Sequence, residues 1–373
     1  MARVRLASTM PAIESGLVSV FYLFEVAEAI DLAAVPSIVG APTATARLAP
    51  KPVTPSYVQY EAPAPLWLEG EALEEPELDG FRVRVKLFQY GVVSFALTRR
   101  FRGEWADLFA LGPELLGAPA LDARAEASCR RLVDRLRPAL SQPRDTLLSE
   151  DYSVFAVTTL AEPRSAEALL AEQGEGIARL LRGEHQGLAP QERDEVLRHR
   201  ISYLADDLVV PTWGAAFVYD TEAGAQAALE IFEFANSQLL EFRYYDALLD
   251  RELARIYEEL QRPTWYDAFG RRYIGAAKQL HALFIDVNEL TDKTENALKM
   301  VGDVYAARLY NLVAARLGLD RWKGNVEEKL ETLDDIYRFS VEQTQMTRGH
   351  FLELTIIAIL VLELVLFFMG IMT

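Results

Sequence analysis

The sharpest alternation of apolar and polar positions runs from Phe81 to Leu97. Phe81, Val83, Val85 and Leu87 alternate with Arg82, Arg84 and Lys86, a period-two pattern that predicts a strand with one buried and one basic face. Tyr90 and Gly91 predict the turn, and Val92, Val93, Phe95 and Leu97 predict the returning strand. In an acidic protein the basic row reads as a solvated sheet face rather than as a seat for an anion. Gly16 to Phe24, β-branched and aromatic, predicts an earlier strand, and Ala27 to Ala34 a helix ended by Pro36. Asp122 offers an N-cap for a helix running to Pro138, and Tyr152 to Thr159 reads as a further strand. The order β, α, β, β, α, β fits a ferredoxin-like layer of helices on an antiparallel sheet. Pro163 and Pro190 open two more helices, since proline is tolerated in a first turn. Residues 206–220 read as extended, bent at Pro211 and Gly214.

After Thr221 the period lengthens. Ala228, Phe232, Ala235, Leu239 and Phe242 step by three and four, and Leu249, Leu253, Ile256 and Leu260 continue the stripe to Pro263. So long a stripe resembles a coiled-coil seam. A second helix is expected from Trp265, with Tyr273, Ala277, Leu280, Phe284 and Val287 on its buried side. Val301, Tyr305, Leu309 and Leu312 continue that pattern, and Gly318 offers a C-cap turn. The last helix carries Trp322, Val326, Leu330, Leu333 and Tyr337 on one side, with no proline before the final apolar run from Phe351 to Met372. At ~1.5 Å per residue that run reads as one transmembrane helix across a core of ~30 Å.

The fold expected is therefore α+β in three parts. A ferredoxin-like α/β domain covers 1–220 with a proline-rich insert at about 40–80, long antiparallel helices form a coiled-coil-like hairpin over 221–347, and a C-terminal transmembrane anchor covers 348–373. Phe232, Leu239, Leu253, Leu330 and Tyr337 are the candidate helical interface. Arg348, Glu353 and Glu363 are the candidate membrane and oligomerisation residues. Glu363 stands out because a charged acid facing lipid in mid-span costs about 2.5 to 3.5 kcal/mol on insertion scales.

Composition narrows the partners. The formal net charge is -17, from 38 basic and 55 acidic residues, which disfavours nucleic acid as a partner. Cys129 is the single cysteine, so an intramolecular disulfide is excluded. Glu14, Glu25 and Glu28 around the first apolar patch argue against a signal peptide. Arg338, Arg348 and His350 precede the expected span, which places the N-terminal part in the cytoplasm by the positive-inside rule. There is no glycine-rich phosphate loop, no H-E-x-x-H and no G-x-S-x-G, and His185, His199, His281 and His350 are scattered. No catalytic, cofactor-binding or metal residue is assigned, and no cofactor is expected.

The runs VGDVYAARLYNLVAARLGLDRW, EEKLETLDDIYRF and RGHFLELTIIAILVLELVL, with FQYGVVSFAL in the N-terminal half, resemble a widespread family. It is the domain-of-unknown-function family that includes the required-for-meiotic-nuclear-division proteins of mitochondria. The resemblance covers about Phe81 to the C-terminus and implies an oligomer-forming membrane protein of α/β domain and helical hairpin. It looks closer to bacterial-type members, hence a bacterial plasma membrane. Three functions follow as expectations: a tail-anchored, homo-oligomeric scaffold on the bilayer; an oligomeric channel or transport-coupling subunit with Glu363 lining a pore; and a membrane-tethered enzyme, which predicts a polar pocket between sheet and helices.

Overall fold

The structure, a computed structural model, describes residues 11–40, 44–45, 64–261 and 304–368. Most of the proline-rich insert and the second long helix expected from Trp265 lie outside the described residues. Eleven strands are described: β1 (Ile13–Glu25), β2 (Ala29–Ile30), β3 (Ala44–Thr45), β4 (Leu66–Glu69), β5 (Glu77–Leu78), β6 (Phe81–Leu87), β7 (Val92–Gly103), β8 (Leu140–Ser141), β9 (Leu148–Leu160), β10 (Leu208–Pro211) and β11 (Ala215–Tyr219). The helices are α1 (Val35–Val39), α2 (Trp105–Leu115), α3 (Pro119–Leu136), α4 (Ala166–Arg182), α5 (Pro190–Arg198), α6 (Glu222–Gln261), α7 (Val304–Leu317) and α8 (Leu319–Phe368).

Nine strands form one mixed sheet in the order β10-β11-β9-β1-β7-β6-β4-β3, with β5 added to β6. Only β11 and β9 run parallel among these described pairs. β1 sits in the middle and is buried on both faces, which explains its near-continuous apolar sequence. The β6–β7 hairpin turns at Gly91, where φ is +91° and a Cβ would lie 1.8 Å from the Ala27 carbonyl oxygen. Only glycine meets both demands there.

One sheet face carries Val18, Val20, Val83, Val85, Phe95, Leu97, Phe155 and Phe217 into the main apolar core. Helices α2, α3 and α4 pack on this side, touching β7, β1 and β11 among them. The opposite face carries Ser19, Arg82, Arg84, Lys86, Ser94, Thr98 and Tyr152. The first part of α6 lies over it, with Phe232 stacked on Tyr152 at 5.3 Å and Glu230 and Glu233 bonded to Lys86.

The ferredoxin-like expectation is corrected on two counts. The sheet has nine strands and is mixed, with β11 parallel to β9, whereas the ferredoxin-like motif is a four-stranded antiparallel sheet, seen here only as the central β9-β1-β7-β6 part. The helix expected between the first two strands is only five residues long, α1, too short for a crossover. The result is an α+β structure with a large mixed sheet.

Among the described residues no helix is long and apolar enough to cross a membrane. This overturns the expected C-terminal transmembrane helix, and with it the membrane, transmembrane and tail-anchored description of the chain. The apolar run is instead the end of α8, a helix of 50 residues. Glu353 and Glu363 both fall within that run, and both are exposed.

The described residues divide into two compact units, one within Met1–Tyr244 and Lys293–Arg321, the other within Tyr245–Asp292 and Trp322–Thr373. The division falls inside α6 and near the start of α8. In the first unit lie the sheet, α1 to α5, the start of α6, and α7. In the second, Leu249, Val326, Leu330 and Leu333 are buried, and Lys329 Nζ meets Asp246 Oδ1 at 2.7 Å and Asp250 Oδ1 at 2.6 Å.

Candidate functional site

The alternation in β6 places Arg82, Arg84 and Lys86 on one face, as the sequence predicts, but that face is not wholly solvated. Lys86 is fully buried beneath α6. Its ammonium donates to Glu230 Oε2 at 2.7 Å and to Glu233 Oε2, and lies 4.1 Å from the centre of the Trp67 ring. A buried cation needs such partners, since leaving it bare costs several kcal/mol or more. Glu230 and Glu233 sit three residues apart, so one helix turn presents both carboxylates to the lysine.

Next to this triad a cavity of about 230 Å³ opens between the sheet and α6, lined among others by Ser19, Arg82, Arg84, Thr98, Glu230 and Glu233. Ser19 Oγ and Thr98 Oγ1 are 3.0 Å apart and hydrogen-bonded. The Arg84 guanidinium stacks 4.1 Å over Trp67. Arg100, also on the lining, makes a long exposed contact of 3.7 Å with Glu222. Gly16 borders the cavity where the β1–β9 register slips. A Cβ at Gly16 would lie 2.5 Å from the Ala156 carbonyl oxygen, so glycine permits this local bulge beside the cavity.

Glu233 is the least satisfied member. Its Oε1 is buried without a hydrogen-bond partner. Burial pushes its carboxyl up, the Lys86 charge pulls it down, and the neighbouring Glu230 pushes it up again. Ser94 Oγ approaches it and lowers the carboxyl somewhat, yet short of hydrogen-bond geometry, so this hydroxyl too stays unsatisfied.

The polar seam continues along α6. Tyr90 and Ser237 hydroxyls are 2.6 Å apart, the Asn236 amide donates to the Phe232 carbonyl at 2.8 Å, and Tyr310 of α7 donates to Gln238. At its far end Glu25, 1% exposed, faces Glu241 of α6 and lies 3.5 Å from Arg144. Desolvation raises Glu25 to about 7, against the lowering effects of Glu241 and Arg144. Arg144 in turn sits 4.3 Å over the Tyr244 ring. Among the described residues no group of three His, Cys, Asp or Glu side chains is placed to hold a metal ion.

The residues singled out from the sequence lie elsewhere. Phe232 and Leu239 are buried in the sheet unit, and Phe232 packs on the sheet through Tyr152. Leu330 is buried and Leu253 half-buried in the second unit. Glu353 and Glu363 are exposed on α8. Tyr337 and Arg348 lie on the α8 backbone, their side chains outside the described set. The structure therefore brings none of these together with the cavity. What the sequence reading missed is the polar content of the buried part of α6, where Glu230, Glu233 and Glu241 stand among the apolar stripe residues, a signal that a buried cation or donor faces them.

Comparison with known proteins gives a family but no chemistry. The family model described as "Uncharacterized protein MJ0711, N-terminal domain" matches residues 15–226, which covers the sheet but for the first two residues of β1, and the first turn of α6. The protein called "Uncharacterized protein MJ0711" from Methanocaldococcus jannaschii is 26% identical over 217 residues, 58% of this chain. That match spans 65% of the relative's length. No solved structure matches the chain.

Proposed function

The chain belongs to the family of the MJ0711 N-terminal domain, a family of unknown function, and from that premise we propose that its sheet unit is a receptor for a small polar ligand carrying an acid group. The observation that carries this reading is the cavity beneath α6, on whose lining Arg82 and Arg84 stand without an ion-pair partner among the described residues. Guanidinium pairs seat carboxylates and phosphates through charge-assisted hydrogen bonds. Helix α6 lends Glu230 and Glu233 to the cavity and Asp246 and Asp250 to the Lys329 cluster of the second unit. No histidine or cysteine lines the cavity, so no reaction is proposed.

Titration calorimetry on the full chain with inorganic phosphate and butyrate tests the proposal. Saturable binding is expected, weakened roughly tenfold or more by the double variant Arg82→Gln with Arg84→Gln. Binding that ignores this variant, or no binding by any acid tried, overturns it.

A second reading, a scaffold that self-assembles through its helices, is favoured by Ile356, Ile357, Ile359, Leu360, Val361 and Leu362. Each is more than half exposed on α8, an apolar surface larger than isolated exposed side chains account for. Mass photometry should show oligomers that Ile357→Gln with Leu360→Gln dissociates, and a monomeric wild type ends this reading. The finer kinship with the required-for-meiotic-nuclear-division proteins is also proposed, supported by the C-terminal runs quoted above. An experimental structure of such a protein with a different strand order would remove it.

A further inference from the structure

Resting on the receptor reading above, we infer that the ligand is a polyhydroxylated acid of the sugar-acid class. Its acid group lies on Arg82 and Arg84, and its hydroxyl groups are read by Glu69, Thr98 and Gln226. The lining interleaves donors and acceptors from strand to strand. Glu69 of β4 stands directly opposite Arg84 of β6, and Arg82 stands directly opposite Thr98 of β7, and residues so paired share a sheet face. All four border the cavity. Gln226 of α6 adds an amide on the lining, which both donates and accepts. At the rim Glu222 and Arg100 repeat the alternation, 3.7 Å apart.

This interleaving selects the chemistry of the ligand. Arg84 and Glu69 are cross-strand neighbours, yet neither makes an ion pair among the described residues. A bare anion would load the arginines and set its charge against Glu69. A bare cation would do the reverse. A hydroxyl group offers one donor and two acceptor lone pairs, so a ligand carrying several of them gives a hydrogen to Glu69 and accepts one from the arginine beside it. The Ser19–Thr98 pair serves the same end. Its 3.0 Å bond uses one of the two hydroxyl hydrogens, which leaves the other for an acceptor on the ligand. Leu17, Ala96 and Leu229 supply apolar wall for the carbon skeleton. The cavity of about 230 Å³ is smaller than the ~300 Å³ at which drug-sized sites begin, which suits one monosaccharide-sized acid.

Titration calorimetry on the full chain with gluconate, hexanoate and sorbitol tests the inference, because gluconate has both an acid and hydroxyls, hexanoate only the acid, and sorbitol only the hydroxyls. Gluconate is expected to bind on the order of tenfold tighter than either of the others. Glu69→Ala should bring gluconate down toward the hexanoate level and leave hexanoate no weaker, since it removes an acceptor for hydroxyls and a repulsion for the acid. Glu69 is exposed at the end of β4, and thermal unfolding checks that the variant stays folded. Thr98→Val should lower gluconate binding and spare hexanoate in the same way. Gluconate no tighter than hexanoate, or a ratio that both variants leave untouched, overturns the polyhydroxylated ligand. The acid receptor then stands on hexanoate binding that Arg82→Gln with Arg84→Gln weakens. Sorbitol matching gluconate, or no probe binding, overturns both.

Discussion

The two faces of the nine-stranded sheet are built on opposite principles. One presents Val18, Val20, Val83, Val85, Phe95, Leu97 and Phe155 to α2, α3 and α4, and hydrophobic burial at about 25 cal/mol per Å² suffices to hold it. The other presents Lys86, Ser94, Ser19 and Glu25 beneath α6, which answers with Glu230, Glu233, Asn236, Ser237, Gln238 and Glu241, all buried. Ionised groups removed from water recover their desolvation cost only through good pairing, and apolar replacements are often as stable or more so. The apolar face therefore explains that the unit folds. The polar face, weaker as a glue, is the place where the molecule spends stability on something else, which we take to be ligand recognition.

The contrast can be broken most severely at single residues of each face. Phe155→Ala should cost about 3 to 5 kcal/mol through an unfilled cavity, and Lys86→Ala a similar amount by stranding two glutamates. Urea unfolding measures both. The faces separate when the partners are also replaced: Lys86→Met with Glu230→Leu and Glu233→Leu should return stability to the wild-type level or above. No rescue would show that the polar face is held by more than its ion pairs.

Next in size is a pH effect unique to the polar face. Glu25 titrates at about 7 in the fold against an ordinary 4.5, so between those pH values the folded state holds a proton that the unfolded chain has lost. The contribution of Glu25 to stability is then full below pH 4.5 and is lost, by roughly 3 kcal/mol, as the pH rises through about 7. Unfolding midpoints measured from pH 5 to 8 should show this slope, and Glu25→Gln should flatten it. A slope that survives the substitution assigns the titration to another group. The smallest effect belongs to neither face. The exposed Arg130–Glu126 pair at 2.5 Å should yield no more than about 0.5 kcal/mol in a double-mutant cycle, and a larger coupling would blur the distinction between buried and exposed charge pairs.

How much of this could be read from the chain alone follows from range of interaction. The β6–β7 hairpin, its turn at Gly91 and the long stripe of α6 are local patterns, and the sequence displays them openly. The width of the sheet is not local. β1 meets β9 in a register such as Ile13↔Leu160, and no periodicity announces a partner that far away. The basic row of β6 looks like a solvent face because the helix that buries Lys86 lies 144 residues on at Glu230. The C-terminal apolar run was conspicuous, yet it continues a charged helix and holds Glu353 and Glu363, and its reading as a membrane span does not survive.

The central position of β1 has a consequence for how the protein is made. It leaves the ribosome well ahead of its two neighbours: β1 ends at Glu25, while β7 and β9 begin at Val92 and Leu148. At synthesis rates of roughly 5 to 20 residues per second, this apolar strand waits several seconds with both edges unpaired. Pairings of such sequence separation also close slowly, because the loop must be closed before the contacts reward it. The nascent chain thus passes through an interval in which its most buried strand is its most adhesive one, and folding yield at high expression should depend on whatever shields that strand until residue 160 has emerged.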